Sequence, residues 1–140
     1  MPEPQLRRFR RGPATAGTVD ALHADLDALW EEAPWVAEAD RMAFTLAVVE
    51  TAGNVVRHAV PAAGDAVELA VDLAVAPRRL RARIREIGAA PASVELGAPM
   101  VQEDLESGRG LAMVRALVGG VGLERDGDSN VWTLSRECGR

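Results

Sequence analysis

The sequence contains no lysine; its 16 basic residues are all arginine. A phosphate-loop NTPase needs a lysine on the phosphates, so that class is excluded, and Schiff-base chemistry goes with it. Only one cysteine is present, Cys138. An intrachain disulfide is impossible, a cysteine-based metal site cannot be assembled, and the residue reads as a quiet thiol in a reducing cytoplasm. Long apolar runs are missing too. No stretch reaches the ~18 residues of a membrane span. The arginine pairs Arg7-Arg8 and Arg10-Arg11 lead into Gly12, Pro13 and Thr15, not into the apolar region of about 7–15 residues that an export signal needs. Acidic residues outnumber arginines by 21 to 16, a formal net charge of −5, which argues against direct binding of nucleic acid or an anionic membrane. Repeats, low-complexity tracts and linkers are absent as well. The lysine deficit, beside abundant alanine, reads as genome composition bias.

What is present fits one globular domain. The 140 residues are 48% apolar and 26% charged, and a chain of this length buries about 70% of its unfolded surface. Leu6 to Arg10 reads as a short strand and Gly12 to Gly17 as a loop. Thr18 is a candidate N-cap for a helix through Ala33, with Val19, Leu22, Leu26, Leu29 and Trp30 on one face. Pro34 ends it, and Trp35 is assigned to the core. A second helix is predicted from about Glu38 to Ala59, with Phe44, Val48 and Val55 inward and Pro61 and Gly64 as stops. Val67 to Val75 alternates with a period of two, and so does Leu80 to Arg85 after the turn Pro77-Arg78, a pattern for an antiparallel hairpin with one buried face. The arginine row Arg81, Arg83 and Arg85 reads as a solvated sheet face, opposed by the acidic positions of its partner. Gly88 to Gly110 is irregular, Leu111 to Val118 reads as a helix, and Val121 to Glu124 and Asn130 to Leu134 as strands joined through Asp126-Gly127-Asp128. The order is strand, two helices, two strands, loop, helix, two strands. It implies an α+β layer pair with helices on one face of a mainly antiparallel sheet.

Three segments carry candidate chemistry. Glu50 and Asn54 lie one turn apart in the second helix, with His58 a turn further on, a polar stripe in an otherwise apolar helix. The stripe is either functional or the wet side of an amphipathic helix. Glu86-Ile87-Gly88 closes the second hairpin strand, where a carboxylate beside a glycine permitting close approach suits a ligand amine; glycine also ends strands routinely. Ser107-Gly108-Arg109-Gly110-Leu111 stands before a predicted helix. Exposed N–H groups and the helix dipole there favour an anion such as phosphate, and a flexible Gly-rich helix start is the plainer account.

Taken together and in this order, the three segments resemble the Bergerat-fold (GHKL, histidine-kinase-like) ATPase superfamily. The phrase Leu46-Ala47-Val48-Val49-Glu50-Thr51-Ala52-Gly53-Asn54-Val55-Val56-Arg57-His58-Ala59, followed by Gly108-Arg109-Gly110-Leu111, looks most like the small bacterial anti-sigma factors that are also serine-protein kinases. The resemblance covers roughly Gln5 to Ser135 of a single domain spanning 1–140. It implies a two-layer sandwich that binds ATP and Mg²⁺. Asn54 then matches the Mg²⁺ ligand, a hard amide oxygen, and Glu50 the general base that takes a proton from an acceptor serine. Glu86 and Gly88 match the adenine-binding segment. Gly108, Arg109, Gly110 and Leu111 match the phosphate-binding segment, with Arg109 directed at the γ-phosphate, and residues Ala89 to Ser107 match a lid. His58 closes the helix motif in a packing, capping or ligand role.

Two departures stand out. The family usually has aspartate where this chain has Glu86, and one added methylene in an unyielding pocket costs about 1–3 kcal/mol of binding. Ala90 replaces a second glycine found in many relatives, stiffening the loop. The implied function is an ATP-dependent serine/threonine kinase of a small anti-sigma-factor antagonist that also sequesters a sigma factor, as an unfused cytoplasmic protein regulated by partners. A homodimer is a candidate assembly. The alternative is a non-catalytic interaction module of the same fold with weakened or lost ATP binding.

Overall fold

The computed structural model describes residues 5–62, 64, 66–92 and 105–139, and for 105–109 the backbone course alone. The elements run β1 (Leu6–Pro13), α1 (Ala16–Glu32), α2 (Glu38–His58), β2 (Glu68–Ala76), β3 (Arg79–Ile87), α3 (Leu105–Val118), β4 (Gly119–Asp126) and β5 (Ser129–Glu137). Among the described residues the strands form one five-stranded sheet in the order β1-β2-β3-β5-β4. Every neighbouring pair is antiparallel. The α+β class read from the sequence is therefore the observed one.

The core follows from two periodicities. Leu69, Val71, Leu73 and Val75 of β2 and Leu80, Ala82 and Ile84 of β3 are buried, as alternation requires for one covered face. Leu22, Leu26, Leu29 and Trp30 of α1 and Phe44, Ala47, Val48, Ala52 and Val55 of α2 supply the cover. Continuing the alternation along β3 by two residues makes Glu86 the next inward side chain, and it is 6% exposed. A carboxylate thus sits at the end of an apolar row.

Polar ties fix the layers. Arg10 of β1 donates through both Nε and Nη2 to the buried Asp25 of α1, at 2.8 and 2.9 Å. Arg8 pairs with Glu32, and Arg11 with Glu68 on the neighbouring strand. Three of the four tandem arginines near the start, Arg8, Arg10 and Arg11, are thus ion-pair partners of the fold. At the other end, Arg136 of β5 holds Asp40 of α2 at 2.8 Å and also donates to the carbonyl of Leu117 in α3. Cys138 is half-buried beside Asp40. Burial first, then that carboxylate, pushes its thiol pKa up, so the thiolate is scarce near neutral pH.

Several sequence expectations are corrected. The N-cap of α1 is Thr15, in extended conformation, and Thr18 lies buried in the first turn. The expected loop from Gly12 is instead the end of β1, where Gly12 and Pro13 pair with Leu69 and Glu68. Proline is tolerated there because it is the last residue of an edge strand. Trp35 is 49% exposed, not core, because it lies in the short turn between α1 and α2. Asp72 does stand opposite Arg83, and acidic partners also come from beyond β2: Arg85 of the row pairs with Asp126 of β4, and Arg79 with Glu137, which faces it on β5. Most consequential is α3. It begins at Leu105, not Leu111, so Gly108, Arg109 and Gly110 belong to the helix instead of preceding it.

Candidate functional site

The helical repeat of α2 sets the site's first half. Residues three and four apart share a face, so Asn54 stands beside Glu50, and Arg57 follows Asn54 on the same side. Arg57 Nη2 donates to Asn54 Oδ1 at 2.6 Å and to Glu50 Oε2 at 3.1 Å. Glu50 is partly exposed, with 24% of its side-chain surface accessible. Gly53 makes this fold-back possible: a Cβ there would lie 3.0 Å from Arg57 Nη1. Interior helical glycine costs about 1 kcal/mol relative to alanine, and here the vacated volume holds a guanidinium.

The helix α3 packs mainly on α2, and Gly110 brings its backbone up against the polar stripe. A Cβ on Gly110 would be 2.5 Å from Glu50 Oε2 and 3.4 Å from Asn54 Nδ2. A side chain there would therefore drive into the Glu50 carboxylate and touch the Asn54 amide. The structure thus brings Glu50, Asn54 and Gly110 together from sequence positions far apart. Gly108 lies one helical turn or less away on the same backbone, and Leu111 is half-buried. The side chain of Arg109 and residues 93–104 of the expected lid lie outside the described residues. His58 is exposed as the last residue of α2.

The second half is organised around Glu86. Its Oε1 accepts from Trp132 Nε1 at 3.0 Å and its Oε2 from Asn130 Nδ2 at 3.1 Å. Asn130 is itself saturated: Nδ2 also donates to the carbonyl of Ala90, and Oδ1 accepts from Ala92 N and Arg125 Nη1. Arg125 also donates to the carbonyl of Ala89 at 2.7 Å. The chain leaving β3 is thus clamped onto β5 and β4. Gly88, at φ +80, turns it in the left-handed region. Glycine is needed there for that angle and not for a close approach, since a Cβ would meet nothing nearer than the Ala66 carbonyl at 3.9 Å. Backbone bonds from Ala90 to Val60 and from Ala62 to Gly88 tie this exit to the end of α2.

Sequence reasoning missed Arg57, Gly53, Asn130, Trp132 and Arg125. A signal existed for one of them: Arg57 lies three residues past Asn54 inside the helix motif.

The histidine kinase-like ATPase domain model matches residues 12–136. The chain belongs to that family. A histidine kinase-like ATPase fold is thereby assigned to nearly all of it, and ATP binding is the family's hallmark. Among solved structures it is similar to the RsbU and RsbW domains of Rv1364c from Mycobacterium tuberculosis, with a TM-score of 0.67 at 21% identity. That match covers 99% of this chain but 34% of the other, so this ATPase domain spans about a third of that structure's length. It is also similar to the Acinetobacter baumannii histidine kinase AdeS, at 18% identity and a TM-score of 0.49 over 95% of this chain and 70% of that one. No curated protein matches it in sequence. Among the described residues no helix is long and apolar enough to cross a membrane.

The residues present suit the nucleotide and its cation. Glu50 and Asn54 offer oxygen atoms of the hard kind, a positive group already rests on both of them, and Gly110 brings a backbone without a side chain of its own up against them.

Proposed function

We propose that this chain is an ATP-dependent serine/threonine-protein kinase acting on a small anti-sigma-factor antagonist, and that it regulates transcription by sequestering a sigma factor. The observation that carries the reading is the apposition of Gly110 on Glu50 and Asn54, which joins a carboxylate base, an amide metal ligand and a side-chain-free backbone at one place. Mg²⁺-ATP, when bound, supplies the phosphoryl group. The Asn54 amide oxygen holds the metal. Glu50 takes the proton of the acceptor hydroxyl as its oxygen attacks, and ADP leaves with the bridging oxygen. Gly108, Arg109, Gly110 and Leu111 line the phosphates, and Glu86 and Gly88 the adenine. The likeness to a structure containing an RsbW domain supports the choice of sigma-factor and antagonist partners. A cytoplasmic location follows from such partners.

Glu86 favours a second reading. Its two oxygens already serve Trp132 and Asn130, as a carboxylate retained for structure would. A non-catalytic interaction module of the same fold accounts for that.

Phosphotransfer from labelled ATP to the antagonist encoded nearby separates the two. The kinase reading expects serine phosphorylation that Glu50→Ala abolishes while nucleotide affinity persists. Absence of saturable nucleotide binding near millimolar concentration establishes the module instead.

A further inference from the structure

We infer that Arg57 is an internal stand-in for the divalent cation: its guanidinium occupies the Asn54 side-chain oxygen in the nucleotide-free protein, and metal loading must evict it. The inference rests on the nucleotide reading above and assigns a residue to which that reading gives no part.

Geometry carries it. The shortest polar contact in the α2 cluster is Arg57 Nη2 to Asn54 Oδ1, 2.6 Å, and the same nitrogen reaches Glu50 Oε2 at 3.1 Å. One guanidinium nitrogen therefore bridges the amide oxygen that would hold a hard metal ion and the carboxylate beside it. An amide oxygen has two lone pairs, but a cation and a guanidinium at the same short range repel each other, so occupancy by one disfavours the other. The arrangement is built into the sequence. Gly53 leaves the volume over which the guanidinium folds, with Nη1 3.0 Å and Cζ 3.8 Å from where a Cβ would stand. The helix thus accepts a glycine in its C-terminal third, next to the motif, and the guanidinium of Arg57, which reaches both acceptors, uses the space.

Two consequences follow. In the free protein the guanidinium keeps Glu50 and Asn54 oriented toward Gly110, so the site is formed before ligand arrives. During loading, metal and Arg57 are competitors, so the affinity gained from Mg²⁺ is smaller than the donor set alone would give.

The test measures the metal's contribution and not the turnover. Affinity for adenylyl imidodiphosphate is determined with EDTA and with saturating Mg²⁺, in the parent chain and in Arg57→Met, which keeps helix propensity and removes both donor and charge. The ratio of the two affinities is the metal's enhancement. It is expected to rise about three- to tenfold in the variant, the size of one charge-assisted hydrogen bond at a partly exposed site. In the parent, the guanidinium ¹⁵N signal of Arg57 should move with analogue plus Mg²⁺ and stay in place with analogue plus EDTA. An arginine that merely braces the helix leaves the ratio unchanged, and an unchanged or lowered ratio overturns the inference while sparing the nucleotide site. If neither form binds the analogue under either condition, the nucleotide reading itself falls and takes the inference with it.

Discussion

The two halves of the site are held by opposite means. Around Glu86 the buried carboxylate and the buried Asn130 amide are multiply hydrogen-bonded, to each other, to Trp132, to the exposed Arg125 and to the backbone of Ala89, Ala90 and Ala92. Around Glu50 the side-chain contacts among the described residues are partly exposed and run through Arg57, which also holds Asn54. Buried groups that lose a partner lose stability, because the orphaned donor has no water to turn to. Exposed ion pairs contribute ~0–1 kcal/mol and are easily exchanged for a ligand. One half is therefore a fixed wall and the other a rearrangeable floor.

That contrast is broken most forcefully by removing each carboxylate in turn. Glu50→Ala is expected to lower phosphotransfer by about 10²–10⁴-fold, the range for a general base. Its unfolding free energy in urea should stay within about 0.5 kcal/mol of the parent. Glu86→Ala should do the reverse at the level of the fold: Trp132 Nε1 loses its acceptor and Asn130 Nδ2 one of two, a destabilisation of about 2–4 kcal/mol. If Glu86→Ala unfolds no more easily than Glu50→Ala, the wall and the floor are not distinct.

Next in size is Gly110→Ala. The added methyl would sit 2.5 Å from Glu50 Oε2, and overpacking of this kind costs about 1–3 kcal/mol. The carboxylate can swing aside, so the loss should fall on function: phosphotransfer down at least about tenfold. Alanine's helix propensity meanwhile holds or raises thermal stability. Parallel loss of both would mean that Gly110 is a packing residue only. Trp132→Phe is milder, removing one indole donor from Glu86 at about 1 kcal/mol of stability, read by urea denaturation. Transfer should be little changed.

Legibility in the sequence tracked how local the cause was. The hairpin β2–β3 and the buried faces of α1 and α2 were readable because alternation and helical spacing act within a few residues. The polar stripe of α2 was readable for the same reason, since Glu50 and Asn54 are one turn apart. The start of α3 was not. Gly108 and Gly110 are poor helix formers, and by propensity they punctuate; the helix runs through them because Gly110 must pass close to Glu50, a tertiary demand that outweighs propensity. Trp35 was assigned inside by its type, and its place in a turn put it outside. Asn130 and Trp132 became visible as partners of Glu86 only once the β3–β5 register was known. Gly12 was read as loop because the pairing partner that extends β1, Leu69, lies more than fifty residues away.

The smallest expected effect probes the floor from beneath. Gly53→Ala places a methyl 3.0 Å from Arg57 Nη1, close enough that the guanidinium must yield by a few tenths of an ångström, and its long arm can. Two consequences oppose each other in stability. Alanine strengthens an interior helical position by about 0.5–1 kcal/mol, and a weakened exposed ion pair returns ~0–1 kcal/mol, so the unfolding midpoint should stay level or rise slightly. The metal's enhancement of analogue affinity discriminates where stability does not. It should increase about twofold, in the direction of Arg57→Met and smaller, because displacement of a competitor by a methyl is partial where deletion is complete. In the double variant the glycine change should add nothing further, since its effect runs through an arginine that is no longer there. An additive response would show that Gly53 acts on α2 itself, leaving the arginine's position an accident of the helix surface.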